Sequence, residues 1–279
     1  MFSMNKLSMA ERVTVVRCLL DGNSMRATAR LAGVARNSID KLLVELGVAC
    51  SKFQDTTLRN LSCKRIQVAE IWAFCSREQK QVTQGIAESR IAGDVWACAA
   101  IDADTKLVPC WILGKRDSET ADAFVSDMTS RLVDRVHLAS DGLATCLNAV
   151  VRAFGEDLDC ARLVKYYGNE PEREKRDSPA TCASCKKEGV IGDPDPEPIS
   201  TSYIERQNLT MRMGMRSFAR LTNAFSKRIR NHAAAFSLHM MYYNFARVHK
   251  ALKTTPAVAA GVANHVWTVE EIVGLLSSK

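Results

Sequence analysis

The chain has 279 residues, of which 47% are hydrophobic and 25% are charged, enough for one ordinary globular domain and a small accessory domain. No apolar run is long enough to span a bilayer, and residues 1–7 lack the apolar core of a signal peptide. These features exclude a membrane-spanning class and predict a cytoplasmic protein with no membrane partner. The ten cysteines lack the spacing of a disulfide framework and are expected to be reduced, mostly buried residues.

Positive charge is concentrated in the last third of the chain. The net charge is +7, and the stretch from Glu205 to Lys253 holds ten Lys or Arg residues and a single acidic one, Glu205. A lone carboxylate in a basic segment suits a site that holds phosphates and a cation together. Because acidic partners are nearly absent, five basic residues are expected to contact a DNA backbone: Arg206, Arg216, Arg220, Lys227 and Arg228.

Residues 1–47 carry the pattern of a helix-turn-helix DNA-binding domain. A helix is predicted over 8–20, a break follows it, and Ser24 is placed to cap the second helix. Gly33 can adopt the positive φ of the turn between the second and third helices. The expected DNA-contacting residues lie early in the third helix: Arg36, Asn37, Ser38 and Lys41. The alternative is an ordinary helical bundle with a solvated polar face.

The central residues alternate in a way that predicts an α/β domain. After a linker at 48–65, strands are expected at 66–74, 94–102, 106–114, 135–140 and 161–167. Helices are expected from Asp117 to about Leu132, up to Phe154, and from near Ser202. This order is typical of an RNase H-like, mixed five-stranded sheet with flanking helices, predicted over 66–222 with an irregular insert at about 168–201. A C-terminal helical region, 223–279, should hold a long helix at 227–247 and a short one at 269–276.

Two carboxylates stand where such a fold would bring them together. Asp141 follows the fourth predicted strand, which should lie beside the first, and Glu205 lies early in a late helix. Carboxylates this close need Mg²⁺ between them, and two such ions could clamp a phosphodiester in line. Arg212, two turns after Glu205, could steady a phosphate. The alternatives are a turn aspartate and a surface ion pair of little energetic weight.

Several stretches are similar to the DDE transposases of bacterial insertion sequences, in the branch grouped with insertion sequence one. The similarity runs from about Arg65 to the C-terminus, through VAEIWAF, GDVWACAAIDADTKLVPCWILGKRD, LASDG, STSYIERQNLTMRM, LTNAFSKRIRNHA and YYNFARVHKALKTTPAVAAG. The resemblance implies a Mg²⁺-dependent nuclease and strand transferase acting on double-stranded DNA, at the terminal inverted repeats of its own element and at a target. It implies a homodimer or higher homo-oligomer, with Asp141 and Glu205 as the second and third catalytic, metal-binding acids.

The first acidic position of that family departs from its pattern. The family has aspartate where this chain has Ala69, and Glu70 is a poor substitute because neighbouring strand residues point to opposite faces. We therefore expect that the chain as written does not cut DNA. Either the alanine was introduced to trap a DNA-bound state, the interpretation we favour, or the chain is a natural, domesticated DNA-binding protein or regulator. A third hypothesis, a regulator with a sensor domain, predicts a ligand pocket in place of converging carboxylates.

Cysteine and histidine patterns give weaker signals. Cys182 and Cys185 form a single CxxC, and without a second pair a complete zinc site is not expected, although Cys160 or His137 could contribute to one. His232 and His239 share a helix face with apolar neighbours, which favours packing over metal binding.

Overall fold

The N-terminal unit consists of three helices: α1 (Met9–Leu20), α2 (Met25–Ala32) and α3 (Arg36–Thr57). The structure, a computed structural model, describes residues 7–79, 82, 93–140, 144–154, 158–167, 182–194, 199–218 and 225–277. The Ser24 side chain accepts a hydrogen bond from the backbone N–H of Ala27, and Gly33 ends α2 with φ +66°. Both turn signals are therefore confirmed. Three residues predicted to face inward are buried: Val34, Ile39 and Leu42.

Helix α3 continues well beyond its predicted end. Residues 48–57 were expected to belong to a linker, and that prediction is wrong because these residues form the last turns of α3. The reason is tertiary packing: Leu46, Gly47, Cys50 and Gln54 form a buried face that the mixed polar composition of the segment conceals. The Gln54 Nε2 donates a hydrogen bond to the Ser237 carbonyl oxygen at 3.2 Å, which ties this face to the C-terminal region.

A six-stranded mixed sheet forms the centre of the molecule. Its strands are β1 (Arg65–Cys75), β2 (Gly93–Asp102), β3 (Trp111–Gly114), β4 (Val136–Ser140), β5 (Leu158–Tyr167) and β6 (Cys182–Ile191), in the spatial order β3-β2-β1-β4-β5-β6. The first three strands are antiparallel neighbours, whereas β1–β4 and β4–β5 are parallel. This α/β arrangement is compatible with an RNase H-like fold, and the predicted adjacency of the first and fourth strands is confirmed.

The sheet differs from the prediction at both edges. Strand β6 pairs antiparallel with β5 inside the range expected to be irregular, so the sheet has six strands and not five. Most of the described β6 side chains are exposed, so the strand has no apolar alternation to reveal it. Strand β3 is shorter than the predicted 106–114, since Lys106 has φ +62° and the chain makes a turn there.

Neighbouring residues of β1 point to opposite faces of the sheet, and each face packs against its own apolar cluster. Val68 belongs to the apolar cluster that includes Phe124 of α4 (Ser118–Arg131) and Val150 of α5 (Ala144–Phe154). Ala69 belongs to the opposite cluster, which includes Ile204 of α6 (Ser202–Gly214) and Phe236 of α7 (Ile229–Met241). The helices thus cover both faces of the sheet.

The C-terminal region packs against α3. Helix α7 runs directly into a π-helical turn, Tyr242–Ala246, and short helices α8 (Pro256–Ala259) and α9 (Val269–Gly274) follow. The predicted helix at 227–247 is therefore present with a later start and a change of helix type. Among the described residues, no helix combines the length and apolar character needed to cross a bilayer.

Candidate nucleic-acid and metal site

Ala69 lies near the middle of the sheet, next to the end of β4. Its strand neighbour Val68 pairs with Ser140, the last residue of β4, and Ala69 itself faces Ala99 of β2. Only 2% of Ala69 is exposed. Asp141 follows Ser140 in the sequence but lies outside the described residues, so its predicted place in the site stays a prediction.

Helix α6 crosses β1 at the position of Ala69. Ile204 shares the buried cluster of Ala69, and the Asn208 Nδ2 donates to the Glu70 carbonyl oxygen at 3.5 Å. Glu205 lies between these two contacts on α6, is exposed, and accepts a hydrogen bond from the Thr201 hydroxyl. The structure therefore brings the helix of Glu205 over the strand position of Ala69.

Gln67 anchors the first turn of α6 to the sheet, a role that sequence reasoning missed. Its Oε1 accepts hydrogen bonds from the backbone N–H groups of Tyr203 at 2.9 Å and Ile204 at 3.1 Å. These N–H groups have no partner within the helix, and the N-cap residue Thr201 does not cap them with its side chain. A glutamine between the apolar residues Ile66 and Val68 was the available signal, because a glutamine side chain that becomes buried needs hydrogen-bond partners.

Glu70 takes part in a different site, on the other face of β1. Arg116 Nε donates to Glu70 Oε2 at 3.0 Å, and the Arg116 guanidinium lies 4.6 Å from the centre of the Trp96 ring. Burial raises the pKa of Glu70, although the Cys98 thiol and Arg116 favour its ionised form. Glu70 is therefore engaged away from Ala69, as predicted.

The two aspartates of the β2–β3 turn have structural partners. Asp102 is buried and its Oδ2 accepts from the Thr105 backbone N–H at 2.9 Å and from its hydroxyl at 2.6 Å. Asp104 forms an ion pair with Arg65, which lowers the pKa of Asp104. Asp102 does not join the Ala69 face, because it pairs with Ile66, whose side chain belongs to the apolar cluster on the other face of the sheet.

A group of cations lies near the start of α6. The Lys106 Nζ is 3.1 Å from the centre of the Tyr203 ring, and Lys106 is buried. Burial lowers the pKa of His249, and the nearby charges of Lys106, Arg247 and Arg206 lower it further. Glu205 therefore has positive charge close to its helix start, some of it from residues that the sequence patterns did not single out.

Most of the predicted DNA-contacting residues are on the surface. The exposed ones are Arg36, Asn37, Lys41, Arg206, Arg212, Arg216, Lys227 and Arg228; Ser38 is partly exposed, and Arg220 lies outside the described residues. The structure brings five of them together, because Arg36, Asn37, Arg216, Lys227 and Arg228 all line one cavity between α3 and α7. Lys41 instead pairs with Glu45 at 3.8 Å.

Cysteines and histidines are mainly core residues. Six cysteines are buried: Cys50, Cys63, Cys75, Cys98, Cys110 and Cys160. Cys185 is exposed on β6, and the Cys182 side chain lies outside the described part of the structure. His232 and His239 are buried, in agreement with the packing prediction. Within the described residues, no group of three or more His, Cys, Asp or Glu side chains is arranged to hold a metal ion.

The fold and the Ala69–α6 crossing define an α/β protein with flanking helices and a carboxylate-bearing helix over the sheet centre. No protein-family model matches the chain, and no curated protein matches it.

Proposed function

We propose that this chain is a DNA-binding protein of the DDE transposase type, built on an RNase H-like domain that has lost its first catalytic carboxylate. The observation that carries the proposal is the crossing of α6 over β1. Ile204 and Asn208 contact the surroundings of Ala69 from both sides of Glu205, and the end of β4 lies beside Val68. An aspartate at position 69 would therefore stand near Glu205 and next to the strand that Asp141 follows.

With alanine at position 69, the chain lacks one of the three carboxylates of the predicted two-metal site. The buried methyl group of Ala69 stands at the first position, and Asp141 and Glu205 remain the candidates for the other two. Oxygen ligands are what Mg²⁺ requires, and a methyl group supplies none. We therefore derive no cleavage step for the chain as written: it binds DNA, at terminal repeats of an element and at a target, without cutting it.

The DNA-binding part of the proposal rests on the three-helix unit and the basic residues. Arg36, Asn37 and Lys41 project from the first turns of α3, a position from which a recognition helix reads a DNA groove. Arg206 and Arg212 project from α6, close to Glu205, where they would contact backbone phosphates. Handling two DNA ends at once would require two copies of the chain, so a homodimer belongs to the same proposal.

The decisive experiment restores the missing acid. Ala69→Asp should gain Mg²⁺-dependent nicking of DNA carrying candidate element ends. Ala73→Asp is a matched control, because Ala73 is as buried as Ala69 on the same face of β1 but lies four residues further along the strand. Nicking by Ala69→Asp and not by the control variant supports a nuclease that is inactive because its first acid is missing. Inactivity of a folded Ala69→Asp chain that still binds DNA would contradict the catalytic part.

The second candidate is a domesticated, non-catalytic DNA-binding protein. It is favoured by the close packing of Ala69 in an apolar cluster with Ile204 and Phe236, since a site that no longer holds metal can fill with apolar side chains. It predicts DNA binding without a gain of nicking in the restored variant.

A further inference from the structure

A cavity of about 590 Å³ lies where the three-helix unit meets the C-terminal region. Its walls come from the α1–α2 turn, the start of α3, the end of α6 and the start of α7. The volume lies within the roughly 300–1,000 Å³ that small-molecule sites occupy. The backbones of the two units come close beside it, since a β-carbon on Gly22 would lie 3.2 Å from the Gly214 carbonyl oxygen.

The rim of the cavity is strongly cationic. Five basic side chains line it, and none of them forms an ion pair with a described residue: Arg26, Arg36, Arg216, Lys227 and Arg228. Asp40 is the one carboxylate among the described lining residues, and it accepts a hydrogen bond from the Asn231 amide. Five cations facing one carboxylate attract an anion.

Two helices begin at the same rim. In the described structure, neither the α3 N-cap, Ala35, nor the α7 N-cap, Arg228, makes a side-chain capping hydrogen bond. Their first N–H groups therefore add positive potential to that of the side chains.

The interior is apolar, and two of its lining residues carry a buried polar atom with no hydrogen-bond partner in the described part of the chain, His239 Nε2 and Asn231 Oδ1. Leu20, Met215 and Phe225 are among the lining residues. His239 also lines the cavity, is 5% exposed, and its Nε2 has no hydrogen-bond partner among the described residues. Burial lowers the pKa of His239 to about 4, with a smaller effect from Arg247, so its ring is neutral near pH 7. A neutral imidazole has one ring nitrogen that donates a hydrogen bond and one that accepts it, so it can pair with a polar heterocyclic ring.

We propose that this cavity binds a single nucleotide, with its base against the apolar interior and His239, and its phosphate at the cationic rim. The nucleotide could be a free mononucleotide or an unstacked nucleotide of a bound DNA strand; both present the same chemistry. The site lies away from Ala69 and goes beyond the proposed function. It is tested without Mg²⁺ or cleavage, so either proposal can fail alone.

The test is calorimetric titration of the full chain with dAMP and dTMP, with inorganic phosphate, deoxyadenosine and a poly-glutamate peptide as reference ligands. We expect saturable nucleotide binding, at least tenfold tighter than binding of either phosphate or nucleoside alone. Arg26→Ala with Arg228→Ala should weaken it by about tenfold or more, since each removes a charge-assisted contact. The matched control is Arg30→Ala, because Arg30 is exposed on the same helix as Arg26 and is not among the cavity-lining residues.

Ala235→Leu, which narrows the cavity from one of its lining positions, provides a second variant, with thermal melting as the check on folding. A single-stranded oligonucleotide that competes with dAMP, and loses affinity in the same variants, assigns the site to DNA. Without that competition, the site takes free nucleotide. Three results would overturn the proposal: nucleotide binding that is absent, nucleotide binding unchanged in the folded variants, or equal binding of phosphate or poly-glutamate.

Discussion

Gly47 of α3 lies so close to Ala234 of α7 that a β-carbon on Gly47 would come within 2.5 Å of the Ala234 Cα and Cβ atoms. No real side chain tolerates that distance, so the two helix backbones are in direct contact. This contact joins the N-terminal unit to the C-terminal helix that covers the sheet. The relative position of the two units therefore depends on the absence of a side chain at residue 47.

Gly47→Ala should lower the free energy of unfolding by about 1–3 kcal/mol, because the added methyl group meets backbone atoms that cannot move aside independently. Chemical denaturation measures the change. Gly274→Ala is the matched control, since a β-carbon there meets nothing within 4 Å, and its stability should be unchanged or slightly raised. Equal stability of the Gly47 variant and the parent chain would contradict the close approach.

Gln67→Leu should destabilise the protein by about 2 kcal/mol, because the backbone N–H groups of Tyr203 and Ile204 lose their acceptor. Gln67→Glu keeps an oxygen that can accept hydrogen bonds at the start of α6. At pH 7 it should therefore lose less stability than the leucine variant. Thermal melting ranks the three proteins. A leucine variant that melts at or above the parent temperature would show that Gln67 does not hold α6.

Asn244→Ala should lower the free energy of unfolding by about 2–4 kcal/mol, because Asn244 forms hydrogen bonds with both the N–H and the carbonyl group of the buried Val108. Its Oδ1 accepts from the Val108 N–H at 3.0 Å and its Nδ2 donates to the Val108 carbonyl at 3.0 Å. Asn208→Ala serves as the comparison, since within the described residues Asn208 makes a single long hydrogen bond of 3.5 Å, and the free energy of unfolding should fall by less than half as much. Similar losses in the two variants would argue against a special role for Asn244.

Stability should fall when the pH is lowered from 6.5 towards 4, because burial lowers the pKa of His232 to about 4. In that window the unfolded chain binds a proton at this histidine and the folded chain does not, so acid favours unfolding; above pH 6.5 the effect is absent. The loss for one such histidine is roughly 2 kcal/mol between pH 6.5 and 5.

His232→Phe should reduce that pH dependence without abolishing it, because burial also lowers the pKa of His239 to about 4, and the ring contact with Phe218 can be kept while the titrating group at position 232 is removed. Urea denaturation at pH 7 and pH 5 compares the two proteins. An identical loss of stability in both would rule out His232 as the source.

Much of the local structure could be predicted because its causes are local. Ser24 caps α2 through a hydrogen bond three residues away, and Gly33 adopts the positive φ that its position demands. The first five strands were also predictable, because each contains a run of β-branched or apolar residues. Strand β6 lacked such a run, because most of its described side chains face solvent, and its place in the sheet comes from backbone pairing with β5.

The candidate site was predictable only in part. Ala69 and Glu205 were identified from the sequence, and the β1–β4 pairing followed from the expected fold. Gln67 was missed because its partners lie 136 and 137 residues away, on a helix whose crossing point no local pattern specifies. The end of α3 was missed for the same reason, since its buried face exists only against α7.

The sequence alone determined the helices and strands that depend on hydrogen bonds and side-chain periodicity between near neighbours, and it supplied the prediction that position 69 belongs to a candidate site. The tertiary structure decided which distant residues meet: Gly47 with Ala234, Gln67 with the start of α6, and Arg36 with Arg228 at one cavity. The physical reason is that packing and charge act through space. Their strength depends on distances that only the folded chain sets.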